Sequence, residues 1–267
     1  MLNTDEVKRS VNREKMGTNN FIVDINDKLV GCDVNKESNM TNKEFNLSGF
    51  NNLEVSGAFD VDVVQSDSYN VNVSADDFAH IRVENVNGTL MIKRQGIEWF
   101  APFHSQPKVV IAMPELASFT LSGASKGKIH DFNSTNNLSV SVSGASHLEA
   151  INVSAGDLKL DLAGAASLTG DIKASGDAKL QVTGASKLEM EGAANNITLK
   201  TTGASKAELG KFPTQNADVE ISGASNGTIN LNGKLNADVS GASNLYWSGT
   251  PIMGDIQTSG ASNLRRK

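Results

Sequence analysis

Through the second half of the chain, apolar and polar residues alternate with a period of two, and the alternation breaks at regular intervals on the same small residues. Ahead of the breaks stand triplets such as Leu138, Val140 and Val142; Leu158, Leu160 and Leu162; Ala178, Leu180 and Val182; and Ala217, Val219 and Ile221. Beyond the breaks the phase returns, as Leu148 with Ala150, Leu188 with Met190, Ala207 with Leu209, and Leu245 with Trp247. Period-two alternation on both sides of a small-residue break predicts strand, tight corner, strand. The three-and-four spacing of an amphipathic helix does not fit.

The break itself is Gly-Ala-Ser. It begins at Gly123, Gly144, Gly184, Gly203, Gly223, Gly241 and Gly260, and Gly164-Ala165-Ala166 fills the one gap. The spacings are 21, 20, 20, 19, 20, 18 and 19 residues, and a period near 20 marks a structural repeat. One unit has a single apolar face and too little of it to fold alone, so units must stack, strand on equivalent strand. The chain is therefore expected to be all-β: a parallel β-helix or β-solenoid of about 20-residue repeats, its layers about 4.8 Å apart. Gly gives the corner backbone freedom or close approach. Ala and Ser are small enough to recur in every layer, and stacked Ser hydroxyls are expected to hydrogen-bond along the stack.

The same pattern, less regular, reaches back toward the N-terminus. Residues 1–44 are polar and charged and read as a leader, with a short helix expected around Asp5 to Lys15. Residues 45–267 read as the solenoid: N-terminal strands and an aromatic loop over 45–116, then the Gly-Ala-Ser repeats over 117–267. Leu53-Glu54-Val55-Ser56-Gly57-Ala58 is a copy of the repeat unit, which assigns this half to the same sheet system. Asn87-Gly88 is a hairpin signal.

Composition agrees with a slim interior. Aromatics make up 5% of the 267 residues while Gly numbers 24, which suits a narrow core better than that of a globular enzyme. A net charge of −6 and a pI near 5.3 leave no general nucleic-acid footprint, and no apolar run is long enough to span a membrane as a helix. The single cysteine, Cys32, excludes an intramolecular disulfide framework and an all-cysteine metal site. Leu29-Val30-Gly31-Cys32 has a lipobox-like form, but Asp24, Asp27 and Lys28 interrupt the apolar segment that an export signal needs, so no clear signal peptide is read.

Candidate chemistry is sparse. Gly123-Ala124-Ser125-Lys126-Gly127 and Gly223-Ala224-Ser225-Asn226-Gly227 match the G-x-S-x-G nucleophile elbow, but the elbow needs a strand-to-helix turn and these are ordinary members of the repeat. His80, His104, His130 and His147 show no ligand spacing, so neither a metal nor another cofactor is expected. Gly156-Asp157, Gly170-Asp171 and Gly176-Asp177 read as turns. Stacking should create columns. One carries Lys187 and Lys206 beside Glu189 and Glu208, a charge-balanced face. Another, Ser122, Ser143, Thr183, Thr202, Ser222, Ser240 and Ser259, is a hydroxyl ladder that either satisfies the tight corner or presents a regular binding surface. The loop holding Trp99, Phe100 and Phe103 plugs an end of the core or binds a glycan or protein partner.

The repeated Ser-Gly-Ala-Ser, the copy Leu53 to Val61, Met113-Pro114-Glu115-Leu116 before the first full repeat, and Tyr246-Trp247-Ser248-Gly249-Thr250-Pro251 together resemble the GIN-type head domain of autotransporter adhesins. The resemblance covers roughly residues 45–267. It implies a β-helical exported protein of Bacteroidetes-like bacteria, at the cell envelope or extracellular, with an adhesive role and no catalytic residues to carry over. The reading is a non-enzymatic β-solenoid serving as an adhesin or structural binding module for a glycan or surface protein. The alternative is a polysaccharide-active β-helix enzyme, which requires an acidic cluster with a basic partner in one groove.

Overall fold

The computed structural model describes residues 40–95 and 106–267, and within them every helix or strand element is a β-strand. The first are β1 (Thr41–Glu44), β2 (Asn52–Gly57), β3 (Asp60–Gln65), β4 (Asn70–Ala75), β5 (Ile81–Val86), β6 (Thr89–Arg94) and β7 (Lys108–Met113). The repeats then supply strand pairs joined at each Gly-Ala-Ser or Gly-Ala-Ala corner. These are β8 (Ser118–Gly123) with β9 (Lys126–His130), β10 (Leu138–Val142) with β11 (His147–Ala155), β12 (Leu158–Leu162) with β13 (Ser167–Ala174), and β14 (Ala178–Val182) with β15 (Lys187–Ala193). They continue as β16 (Asn196–Thr201) with β17 (Lys206–Thr214), β18 (Asn216–Ile221) with β19 (Asn226–Leu231), β20 (Lys234–Val239) with β21 (Asn244–Gly249), and β22 (Ile252–Thr258) with β23 (Asn263–Arg266).

The strand before each corner stacks in an 11-stranded sheet, here sheet I, in the order β22-β20-β18-β16-β14-β12-β10-β8-β2-β6-β5. The strand after it stacks in a 12-stranded sheet, sheet II, in the order β1-β4-β7-β3-β9-β11-β13-β15-β17-β19-β21-β23. All neighbours from β6 to β22 and from β7 to β23 are parallel, which makes the unit a β-solenoid.

Register explains the alternation. Leu160 lies beside Leu180, Leu180 beside Leu199, and Leu199 beside Val219, all buried; Leu148, Leu168, Leu188 and Ala207 form the matching column in sheet II. Each such Leu or Val contributes about 1.5–3 kcal/mol by leaving water, and every coil adds its share against the entropy of ordering the chain. Sheet II is less regular. In β11 the register slips between Ala150 and Val153, where Ile151 is exposed and Asn152 has φ 53°. A bulge of this kind bends a strand, and it moves the inward phase from Leu148 and Ala150 to Val153 and Ala155.

The corners impose the small residues. Gly184 has φ +79°, and a Cβ there would lie 2.5 Å from the carbonyl oxygen of Gly164 in the neighbouring coil. Gly is thus required twice, for the left-handed backbone and for the close approach. The corner serines from Ser125 to Ser243 turn inward and are buried, Ser262 of the last corner is half-buried, and the corner Gly and Ala face solvent. The buried serine hydroxyl does not bond to the hydroxyls above and below. Ser205 Oγ donates to Gly184 O at 3.1 Å and accepts from Ser186 N at 3.4 Å; Ser225 repeats this on Gly203 O and Ser205 N, and Ser243 on Gly223 O and Ser225 N. The column therefore ties side chain to main chain in the adjoining layer.

The corner between coils uses Asn and Asp instead. Asp157 N donates to Asn137 Oδ1, Asp177 N to Asp157 Oδ1, Asn196 Nδ2 to Asp177 Oδ1 and Asn216 Nδ2 to Asn196 Oδ1, all at 2.7–3.0 Å. Gly156-Asp157 and Gly176-Asp177 are turns, as expected. Gly170-Asp171 is not: it lies inside β13, where a Cβ on Gly170 would sit 2.3 Å from Ala150 O, so close packing of two strands rather than a turn explains that glycine.

The N-terminal strands join the same stack out of order. β2 pairs with β8 and Gly57 stacks beside Gly123, as the sequence copy predicts. Yet β2 and β3 are inserted between β8–β9 and β6–β7. The stack is then closed by antiparallel strands: β5 on β6 through the Asn87-Gly88 hairpin, β4 on β7, and β1 on β4. Phe50 is buried there against Tyr69, their rings 4.8 Å apart.

Candidate functional site

Stacking converts each outward position of the repeat into a straight column. On sheet II, Lys187 and Lys206 stand in register, as do Glu189 and Glu208, and each lysine pairs with the glutamate two residues on in its own strand, at 2.8 and 2.9 Å. The Lys187 ammonium, by hydrogen bond and charge, holds the Glu189 carboxyl below its ordinary range; Glu208 raises Lys206 in the same way. Lys211 is raised by its contact with Glu191. This face is charge-balanced, as the alternation of Lys and Glu suggests.

A hollow of about 300 Å³ lies on sheet II by Glu149, Thr169 and Glu189, and sheet I carries larger ones. Two connected hollows of about 460 and 450 Å³ lie along its outer face and share Lys179 and Thr198. Lys159 and Lys179 are adjacent in register, and Lys159 pairs with Asp161 at 3.0 Å. Further along, Lys200 pairs with Glu220 at 2.8 Å, and Asp218, Asp238 and Asp255 line the same hollow. The result is a shallow trough with a mostly apolar lining, bordered by polar side chains of changing type, one in each column per coil. Sequence reasoning named columns but not this one; the hollow depends on how neighbouring strands sit, which periodicity alone does not encode.

The predicted aromatic site, Trp99, Phe100 and Phe103, lies outside the described residues, as do Cys32, His104 and the helix expected around Asp5 to Lys15. The strands flanking the aromatic segment are described: β6 ends at Arg94 and β7 begins at Lys108, and they stack on β2 and β3. β2 and β3 are joined by Ala58 and Phe59.

The remaining candidates fall to structural roles. Ser125 and Ser225 of the two G-x-S-x-G matches are buried, with their hydroxyls donating to Gly57 O and Gly203 O at 3.2 Å, so neither is presented as a nucleophile. In the hydroxyl ladder, Thr183 Oγ1 donates to Leu162 O at 3.1 Å, the corner-satisfying role. His130 Nε2 lies 2.6 Å from Asp62 Oδ1, and His147 Nδ1 lies 2.8 Å from Ser167 Oγ. Among the described residues no group of three His, Cys, Asp or Glu side chains is placed to hold a metal, and no helix is long and apolar enough to cross a membrane.

A parallel β-solenoid with flat faces, columns of outward polar side chains and corner hydroxyls consumed by the backbone is a repeat scaffold of the kind that presents extended surfaces. Residues 49–251 match the family described as "Putative auto-transporter adhesin, head GIN domain", and the chain belongs to that family. Solved structures share the fold. A putative adhesin from Parabacteroides distasonis superposes with a TM-score of 0.79 at 17% identity, covering 86% of this chain and 98% of its own. A putative adhesin from Parabacteroides merdae gives 0.78 at 16%, covering 85% and 96%. A structure from Parabacteroides distasonis described as a putative lipid binding protein gives 0.77 at 18%, covering 86% and 98%. No curated protein matches the chain.

Proposed function

We propose that this protein is a non-enzymatic adhesive module of the cell surface or extracellular space, and that it binds a glycan or surface protein along the outer face of sheet I. The observation that carries this reading is the trough centred on Lys179 and Thr198, where polar side chains recur once per coil on a rigid sheet. A spacing of about 4.8 Å between coils suits an extended ligand, because every coil adds a polar side chain to the columns Lys159-Lys179-Thr198-Asp218-Asn236 and Asp161-Gln181-Lys200-Glu220-Asp238. Family membership supports the adhesive role. The aromatic segment with Trp99, Phe100 and Phe103 offers a second contact surface, since aromatic side chains supply large contact areas at interfaces.

The test is binding of the purified chain to arrays of glycans and matrix proteins. Three variants are compared: Lys179→Glu/Thr198→Arg in the trough, Trp99→Ala/Phe103→Ala in the loop, and Lys187→Ala on the opposite sheet. The expected outcome is specific binding that falls at least tenfold in the trough variant and is unchanged by Lys187→Ala. Loss only in the loop variant would move the site to the aromatic segment. Release of reducing ends from a bound polysaccharide would instead favour the enzyme alternative.

A further inference from the structure

The two ends of the solenoid are finished differently. At the β1–β5 end the inward side chains are covered or half-buried: Val71 and Val73 of β4 are fully buried, Phe50 is 1% exposed, and Ile81 and Val83 of β5 are half-buried against the core. At the β22–β23 end the inward columns simply stop. Leu235 and Ala237 of β20 are buried, yet the residues that continue their columns, Met253 and Ile256, are 45% and 36% exposed, and Ile252 beside them is 73% exposed. β22 and β23 are also the terminal strands of their sheets, so each presents an unpaired edge of backbone donors and acceptors. Proteins normally protect such edges.

We infer that this end is a docking face for a second copy of the same chain, joined end to end about a two-fold axis. The final coil runs out along β22, turns at Gly260 and returns along β23. A two-fold axis lying along the strand direction sets β22 of one copy beside β23 of the other, and the paired edges run antiparallel. That is the geometry with which the opposite end is already closed, by β4 on β7 and β5 on β6. An isologous interface sets the same patch on both copies, and here that patch is Met253, Ile256 and Leu264 with Arg266 at the end of the Trp247 column. Charge agrees on the outer face: β23 carries Arg265, in the outward column of Tyr246, and β22 carries Asp255, so this pairing brings opposite charges together, whereas β23 against β23 would place Arg265 against its own copy.

The experiment is sedimentation of the full chain from about 1 to 100 µM, with hydrogen exchange read at β22. The expected result is a monomer–dimer equilibrium with β22 amides protected in the dimer. Met253→Lys/Ile256→Lys should weaken association at least tenfold while the thermal transition stays cooperative; Val86→Lys, an exposed apolar site on the other end, should leave association unchanged. Asp255→Arg should also weaken it, and mixing that variant with Arg265→Asp should restore a heterodimer. A monomer throughout the range, growth beyond a dimer, or a dimer that survives Met253→Lys/Ile256→Lys would overturn the proposal.

Discussion

At the scale of single residues, the corner is where this fold is least tolerant. Replacing Gly184 by Ala adds a Cβ 2.5 Å from Gly164 O on a backbone at φ +79°, and both effects must be relieved by moving a strand. We expect a loss of about 2 kcal/mol or more, seen as a lower chemical-denaturation midpoint. The converse case is Ala166, the one corner position in the run of repeats where Ser is missing. It is 1% exposed, and the neighbouring coils define what a hydroxyl there would do: donate to Gly144 O and accept from Ser146 N. Ala166→Ser should add about 1 kcal/mol, measured by the same denaturation. Outward residues behave otherwise. Because Lys187 depresses the Glu189 carboxyl, the contribution of that pair is present above the unfolded carboxyl's pKa and fades as pH falls through the lower folded value. An NMR titration should therefore show the Glu189 midpoint rising in Lys187→Ala, and an unmoved midpoint would mean that the pair does not form in solution.

At the scale of the strand, the inward phase decides the outcome of a substitution. Leu160 sits between Leu180 and a neighbouring coil and is 1% exposed; Leu160→Asp places a carboxyl where nothing can solvate it. We expect loss of at least about 3 kcal/mol, with exchange protection collapsing over β10, β12 and β14, while Lys187→Ala leaves the thermal midpoint where it is. The phase of Leu158, Leu160 and Leu162 could be read directly, because period-two alternation and the direction of the side chain are the same fact. The corners were legible too, since only Gly meets the demand at Gly144 or Gly184. What escaped was non-local. The bulge at Ile151 and Asn152 has no signature beyond a one-residue slip, and Gly170-Asp171 has the composition of a turn although it lies in a strand. The inward aim of the corner serines was also hidden, because Ser is equally at home on an exposed turn. The trough around Lys179 and Thr198 arises from the arrangement of neighbouring strands, and that arrangement is not written in any one repeat.

At the scale of the whole stack, stability should be distributed by position, since each coil of a solenoid touches only its neighbours. Hydrogen exchange of the monomer should find the slowest amides in the central coils, from β10 to β17, and the fastest in β22 and β23, where Met253 and Ile256 lie uncovered. Uniform protection from end to end would contradict nearest-neighbour behaviour. The placement of the first coil has a different kind of consequence. β2 and β3 precede the strands that flank them, yet they end up with β6 and β7 on one side and β8 and β9 on the other, and β4, though it can pair with β1, cannot join the stack until β7 exists. A chain delivered from its N-terminus therefore cannot wind this structure by simply adding turns. Its β3 must wait with both flanks vacant while more than forty residues pass, from Gln65 to Lys108, and only then can growth proceed outward in both directions from that seed.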